Sequence, residues 1–180
     1  MGITILFLLS SCRKNEKAKT AELCRELENS VMLSPAFDSL VKVSMGLPNF
    51  FRSKVLLVAG RCYSTKVEQM QQARIYLREA YRIAPRDVKN LVALELTRLY
   101  GSLILRDSCV EEAIRFISRV PSKVVFTREE EAKFYYLGAC FFKSIDIDRA
   151  FRAVDQALSL YRGLSDTEGE IEAYRLKATL

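Results

Sequence analysis

The groups in this 180-residue chain that could do chemistry are few: the cysteines Cys12, Cys24, Cys62, Cys109 and Cys140, and the acidic run Glu129-Glu130-Glu131. There is no histidine, which removes the commonest general base and the commonest metal ligand, so neither a Ser-His-Asp nor a Cys-His site can form. No pair of cysteines has C-x-x-C spacing, the pattern that a structural metal or a dithiol redox site would need. Gly-rich phosphate loops are absent as well. The acidic run follows Thr127 and reads as compensation of a helix N-terminal dipole with Thr127 as its cap, not as a catalytic dyad. The expectation is a protein that is not an enzyme and carries no cofactor and no metal.

Cys12 differs from the other four in its surroundings. It ends the stretch Met1-Gly2-Ile3-Thr4-Ile5-Leu6-Phe7-Leu8-Leu9-Ser10-Ser11-Cys12, and Arg13-Lys14-Asn15-Glu16-Lys17 follows at once. The apolar run from Ile3 to Leu9 is far short of the ~20 residues needed to span a bilayer, but it suits the h-region of a signal peptide. Leu9-Ser10-Ser11-Cys12 resembles the bacterial lipobox, which implies diacylation of Cys12 and a lipid-anchored envelope protein facing the periplasm. Residues Arg13 to Lys19 would then be a flexible tether beside the headgroups. One departure is that no basic residue precedes Arg13, whereas a signal peptide ordinarily opens on Lys or Arg. The alternative is a cytoplasmic protein whose first residues are merely apolar.

The net charge of +6 invites acidic partners, anionic lipid or nucleic acid, yet the basic residues are interleaved with acids, as in Arg128-Glu129-Glu130-Glu131-Ala132-Lys133. That pattern is a solvated surface, and nucleic acid is not an expected partner. With seven Gly and four Pro, the long stretches of Leu, Ala, Arg, Glu and Lys between them predict an all-α class in one compact globular or solenoid unit.

The elements that would carry these residues come in pairs. Leu23, Leu27 and Val31 recur at helical spacing over Thr20 to Ser30, Pro35 ends that segment, a second helix runs from about Ala36 to Met45, and Gly46-Leu47-Pro48-Asn49 breaks the chain. Beyond this point an internal repeat is legible. Leu56, Ala59, Gly60 and Tyr63 are followed by Ala73, Leu77, Ala80 and Pro85. Phe134, Leu137, Gly138 and Phe141 are followed by Ala150, Val154 and Ala157. Between them, Tyr100, Gly101 and Ile104 with Ala113 and Ile117 form a degenerate unit, where Thr97 stands for a large aromatic and Val120 for a small residue. The small pairs Gly60 with Ala73, Gly101 with Ala113 and Gly138 with Ala150 lie 13, 12 and 12 residues apart. Two antiparallel helices approach to ~8–10 Å only where small side chains face each other, so these positions mark helix crossings.

This pattern resembles the tetratricopeptide repeat, W-x-x-L-G-x-x-Y…A-x-x-x-F-x-x-A. The resemblance implies an α-α superhelix with an N-terminal helical cap or degenerate repeat over residues 20–50, three repeats over 51–165, and a C-terminal capping helix over 166–180, after a signal peptide and tether over 1–19. On the capping helix, Ile171, Tyr174 and Leu176 are the apolar positions expected to cover the last repeat. Cys62 and Cys140 would hold equivalent places in repeats one and three, well beyond the ~7 Å that a disulfide permits, so they are expected to behave as small hydrophobes. The family's ligand groove, along the concave face of the first helices, carries over to Lys54, Arg61, Glu95, Arg98, Tyr135, Tyr136, Phe142 and Lys143. Leu57 and Arg61 stand where adaptors that clamp a terminal carboxylate have Lys and Asn, so that ligand class is not expected.

The function so implied is a non-catalytic protein-interaction scaffold, an envelope lipoprotein recruiting a protein or peptide partner and held to a membrane through Cys12; a homo-oligomer fits this reading too. The alternatives are a cytoplasmic tetratricopeptide adaptor, or a transport accessory that docks on a solute-binding protein or takes an apolar small ligand near Tyr136 and Phe142.

Overall fold

The structure is a computed structural model that describes residues 15–27, 35–103 and 109–180. Cys12, the apolar run before it, Val31 and Ile104 lie outside the described residues. All regular structure among the described residues is helical, with no strand. The contacts divide the chain into two units, Met1–Val88 and Lys89–Leu180, where the composition predicts one.

In the first unit, α1 covers residues 15–27. Residues 15–19, expected in the flexible tether, are therefore helical. Glu, Lys and Ala are good helix formers. Thr20 donates its hydroxyl to the Glu16 carbonyl at 2.7 Å, and Leu23 and Leu27 turn inward. Pro35 opens α2 (Pro35–Val43), at the first helical position, where its missing N–H leaves no hydrogen bond unmade. After a 3₁₀ turn at Ser44–Gly46, α3 (Asn49–Ser64) and α4 (Met70–Ile83) form the first hairpin. Leu56, Ala59, Gly60 and Tyr63 of α3 and Ala73, Leu77 and Ala80 of α4 are all buried, as the repeat spacing predicts. A Cβ placed on Gly60 would stand 2.5 Å from Leu77 Cγ, so this crossing does require glycine. At the far end Arg52 reaches Glu79 at 3.0 Å, and Arg82 reaches the same carboxylate at 2.8 Å. These partners hold the Glu79 carboxyl below its ordinary value, first through the Arg82 hydrogen bond. Cys62 points its thiol at the Leu27 carbonyl, 3.9 Å away, which brings α1 against α3.

The unit boundary falls inside α5 (Arg86–Leu103). α5 meets α6 (Val110–Arg119) through Tyr100, whose hydroxyl donates to Glu112 at 2.5 Å and whose ring lies 5.6 Å from that of Phe116. Thr97, the small residue in an aromatic place, is fully buried and gives its hydroxyl to the Ala93 carbonyl at 2.8 Å, so no polar group is stranded there. Gly101 departs from the expectation of a tight crossing, because nothing lies within 4 Å of a Cβ built there. A 3₁₀ turn, Val120–Ser122, leads toward α7 (Arg128–Phe142). Thr127 caps α7 with a full capping box: its hydroxyl accepts from Glu130 N–H at 3.2 Å, and the Glu130 carboxylate accepts from Thr127 N–H at 2.9 Å.

α8 (Ile147–Leu164) is capped by Asp146, packs along α7, and ends at Ser165, whose left-handed backbone (φ 56) turns the chain. α9 (Thr167–Lys177) then lies against α8. Its packed face is not the expected Ile171–Tyr174–Leu176 set. Gly169 and Ala173 are buried and Leu176 packs beside them, while Ile171 and Tyr174 are exposed. The cause is close approach, since a Cβ on Gly169 would come within 2.5 Å of the Tyr161 ring. Lys177 to Asp155 at 2.6 Å and Arg162 to Glu170 at 2.8 Å fasten the same two helices from outside, and Arg162 also donates to the Tyr174 hydroxyl.

Candidate functional site

Within the second unit, the Gly138 stretch of α7 leaves room between α6 and α8. The floor is Phe134, Tyr135, Gly138 and Phe142 of α7, one wall is Ile117, Ser118 and Pro121, and the other is Arg149, Arg152, Ala153 and Gln156. These residues enclose an open groove of about 380 Å³. A smaller lobe of about 110 Å³ shares Pro121, Phe134 and Tyr135 with it and continues to Val124, Phe126 and Glu131. Glu131 and Phe142 mark the two ends along α7, a run of roughly 16 Å at ~1.5 Å rise per residue.

The local sequence explains each surface. Phe134, Tyr135, Gly138 and Phe142 recur at i, i+1, i+4 and i+8, so they form one stripe of α7. Glycine at the middle keeps the floor low, and a Cβ there would meet only Ile117 at 3.9 Å. Aromatic packing stiffens the stripe: Phe126 stacks on Phe134 with centroids 5.2 Å apart, and Phe141 meets Phe142 edge-on at 5.0 Å. On α8, Ala150, Val154 and Ala157 face the core, which leaves Arg149, Arg152 and Gln156 on the flank beside the groove. Arg149 is tethered, its Nε 3.0 Å from Asp146 and its guanidinium 5.5 Å from the Phe142 ring centre. Arg152 is exposed and has no ion-pair partner among the described residues. Both charged residues in the larger lobe are therefore basic. Burial, and after it the Glu131 carboxylate, pushes the Tyr135 phenol above its ordinary value, so it stays a neutral hydroxyl at physiological pH.

The residues predicted from the repeat offsets are distributed more widely. Lys54 and Arg61 are exposed in the first unit, Lys54 with its ammonium 4.4 Å from the Phe50 ring centre. In the second unit Glu95 and Arg98 pair with each other at 2.8 Å on α5. Tyr135 and Phe142 share the groove described above, with Phe142 buried in its floor. Tyr135 and Tyr136 both pack against the cluster of Ala132, Ala139, Val154, Leu158, Tyr161 and Ala173, but Tyr136 does not line the groove. Lys143 donates to the Thr179 hydroxyl at 2.8 Å, beside the chain's last helix. The structure thus brings Tyr135 and Phe142 together and leaves Tyr136 and Lys143 on other surfaces.

The repeat offsets did not point to Arg149, Arg152 and Gln156, and they gave Ile117 as a packing position, not as a wall of the groove. Their signal in the sequence is the polar spacing Arg149, Arg152, Gln156, at i, i+3 and i+7, which marks a single flank of α8.

Among the described cysteines, Cys109 is buried and Cys24, Cys62 and Cys140 are partly covered. Burial raises the Cys140 thiol above its ordinary value and outweighs the neighbouring Tyr136 hydroxyl and Lys143, which favours the protonated form. Among the described residues no group of three or more Cys, Asp or Glu is placed to hold a metal ion, and no helix is long and apolar enough to cross a membrane. Comparison with protein-family models, with curated proteins and with solved structures finds no match for this chain.

Proposed function

We propose that this protein is a non-catalytic scaffold that binds other proteins through helical hairpins of the tetratricopeptide type. The observation that carries the reading is the open groove over α7, floored by three aromatic rings and walled by two arginines and a glutamine. Concave apolar surfaces with a few polar groups are recognition sites, and Tyr, Phe and Arg are the residues that dominate protein–protein binding energy. The chain has no histidine to serve as a general base there. The recurring Gly–Ala spacing of the hairpins supports the superhelical arrangement.

The test is photocrosslinking in cells. A benzophenone amino acid replacing Tyr135 is expected to trap a discrete polypeptide adduct, and the same group replacing exposed Gln71 on α4 is not. No adduct at 135, or the same ladder from both positions, would remove the groove as the binding surface.

The run Ile3–Leu9 followed by Ser10-Ser11-Cys12 supports a second element, attachment of this scaffold to a bacterial membrane through lipid on Cys12. Labelled palmitate is expected to enter the wild-type protein and not Cys12→Ala. Equal labelling of the two, or none in either, would favour a cytoplasmic adaptor.

A further inference from the structure

The shape and charge of the groove specify its ligand further. Its two lobes share Pro121, Phe134 and Tyr135 in their linings and follow one another along α7, which suits a chain laid along α7 better than a compact molecule enclosed in a pocket. At ~3.3 Å per residue, an extended segment of about five residues spans the roughly 16 Å from Glu131 to Phe142. The polarity is one-sided: Arg149 and Arg152 border the larger lobe, and Glu131 stands at the far end. Between them the floor is aromatic. Arg152 has no counter-ion among the described residues, and Arg149 is already braced by Asp146 and by the Phe142 ring, so its guanidinium is held over the groove at little further entropic cost.

We infer that the groove over α7 binds an extended acidic segment of a partner protein, with an apolar side chain on the Phe134–Tyr135–Phe142 floor and a carboxylate against Arg149 and Arg152. The inference rests on the protein-binding reading above and adds the chemistry of the partner. An aliphatic or aromatic anchor covers the half-buried Tyr135 ring, and the adjacent carboxylate pairs with Arg152, which has no acid beside it among the described residues, next to Arg149, which Asp146 already braces. A basic segment would meet like charge and gain nothing from the floor that a neutral one would not.

Selection of a random peptide display library on the full chain tests this. The expected outcome is a consensus that sets Asp or Glu beside Leu, Ile or Phe. A synthetic peptide of that consensus should lose at least about tenfold in affinity against Arg152→Glu, keep most of it against Arg152→Lys, and lose it against Ser118→Trp, which fills the groove from the opposite wall. Arg152 and Ser118 are exposed, so these variants are expected to fold, as circular dichroism would verify. A consensus without acids, or one indifferent to all three variants, overturns the acidic ligand while leaving a protein-binding scaffold standing. Failure to enrich any peptide, with no adduct from position 135, removes both. Enrichment that collapses on adding a free fatty acid but ignores Arg152→Glu would replace the peptide by an apolar small ligand.

Discussion

Alanine at Gly60 is expected to lower the unfolding free energy by about 1–2 kcal/mol, whereas alanine at Gly101 is expected to raise it by roughly 0.5–1 kcal/mol. Both glycines sit inside helices, and both would gain helical propensity from a methyl group. The difference is what the methyl meets. At Gly60 it would lie 2.5 Å from Leu77 Cγ and 2.6 Å from Cδ2. Leu77 is only 1% exposed and packed within the hairpin, so it cannot swing clear, and overpacking outweighs the propensity gain. At Gly101 the methyl enters open space. Gly138, whose methyl would find Ile117 at an ordinary 3.9 Å, should follow Gly101. Urea unfolding followed by circular dichroism reads all three, and a shift of the same sign at Gly60 and Gly101 would refute the account of the crossing.

Tyr161 is the second position where a large effect is expected. Its ring is 8% exposed, lies within the cluster joining α7, α8 and α9, and fills the space that Gly169 leaves. Tyr161→Ala removes a buried aromatic and is expected to cost about 3–5 kcal/mol. Its hydroxyl adds a pH dependence. Burial, with Asp166 and Glu172 nearby, pushes the phenol from 10.0 to about 12. The unfolded chain therefore ionises this tyrosine first, so the stabilisation is complete below pH 10 and is lost as pH rises from there toward about 12. Tyr161→Phe keeps the ring and has no proton to lose, so it should be markedly less sensitive than the wild type across that window. Alkaline unfolding curves that superimpose for the two proteins would contradict the assignment.

The hairpins and the small-residue spacing were legible because both follow from the 3.6-residue period, which places i, i+3, i+4 and i+7 on one face whatever the neighbours are. The Thr127 cap was legible for the same reason, since a capping box is satisfied within four residues. Other features were not. Nothing in the local sequence separates Gly60 from Gly101, although only the first meets a neighbouring side chain closely. Tyr135 and Tyr136 are adjacent in sequence but about 100° apart around α7, and which one borders a groove depends on where α6, α8 and α9 lie. Pro35 reads as the end of the preceding segment, whereas in the structure it belongs to α2, at its first position.

The sequence by itself determined an all-helical chain, a set of hairpins with small residues at fixed offsets, the lack of histidine chemistry and an interleaved surface charge. These are properties of residue type and local period. Only the tertiary structure decided which glycines carry a close approach, that α9 packs through Gly169 and Ala173 rather than Ile171 and Tyr174, and that Arg149 and Arg152 flank an aromatic floor on α7. Those outcomes depend on the angles and distances between helices. Side chains remote in sequence set them jointly, and no single segment contains them.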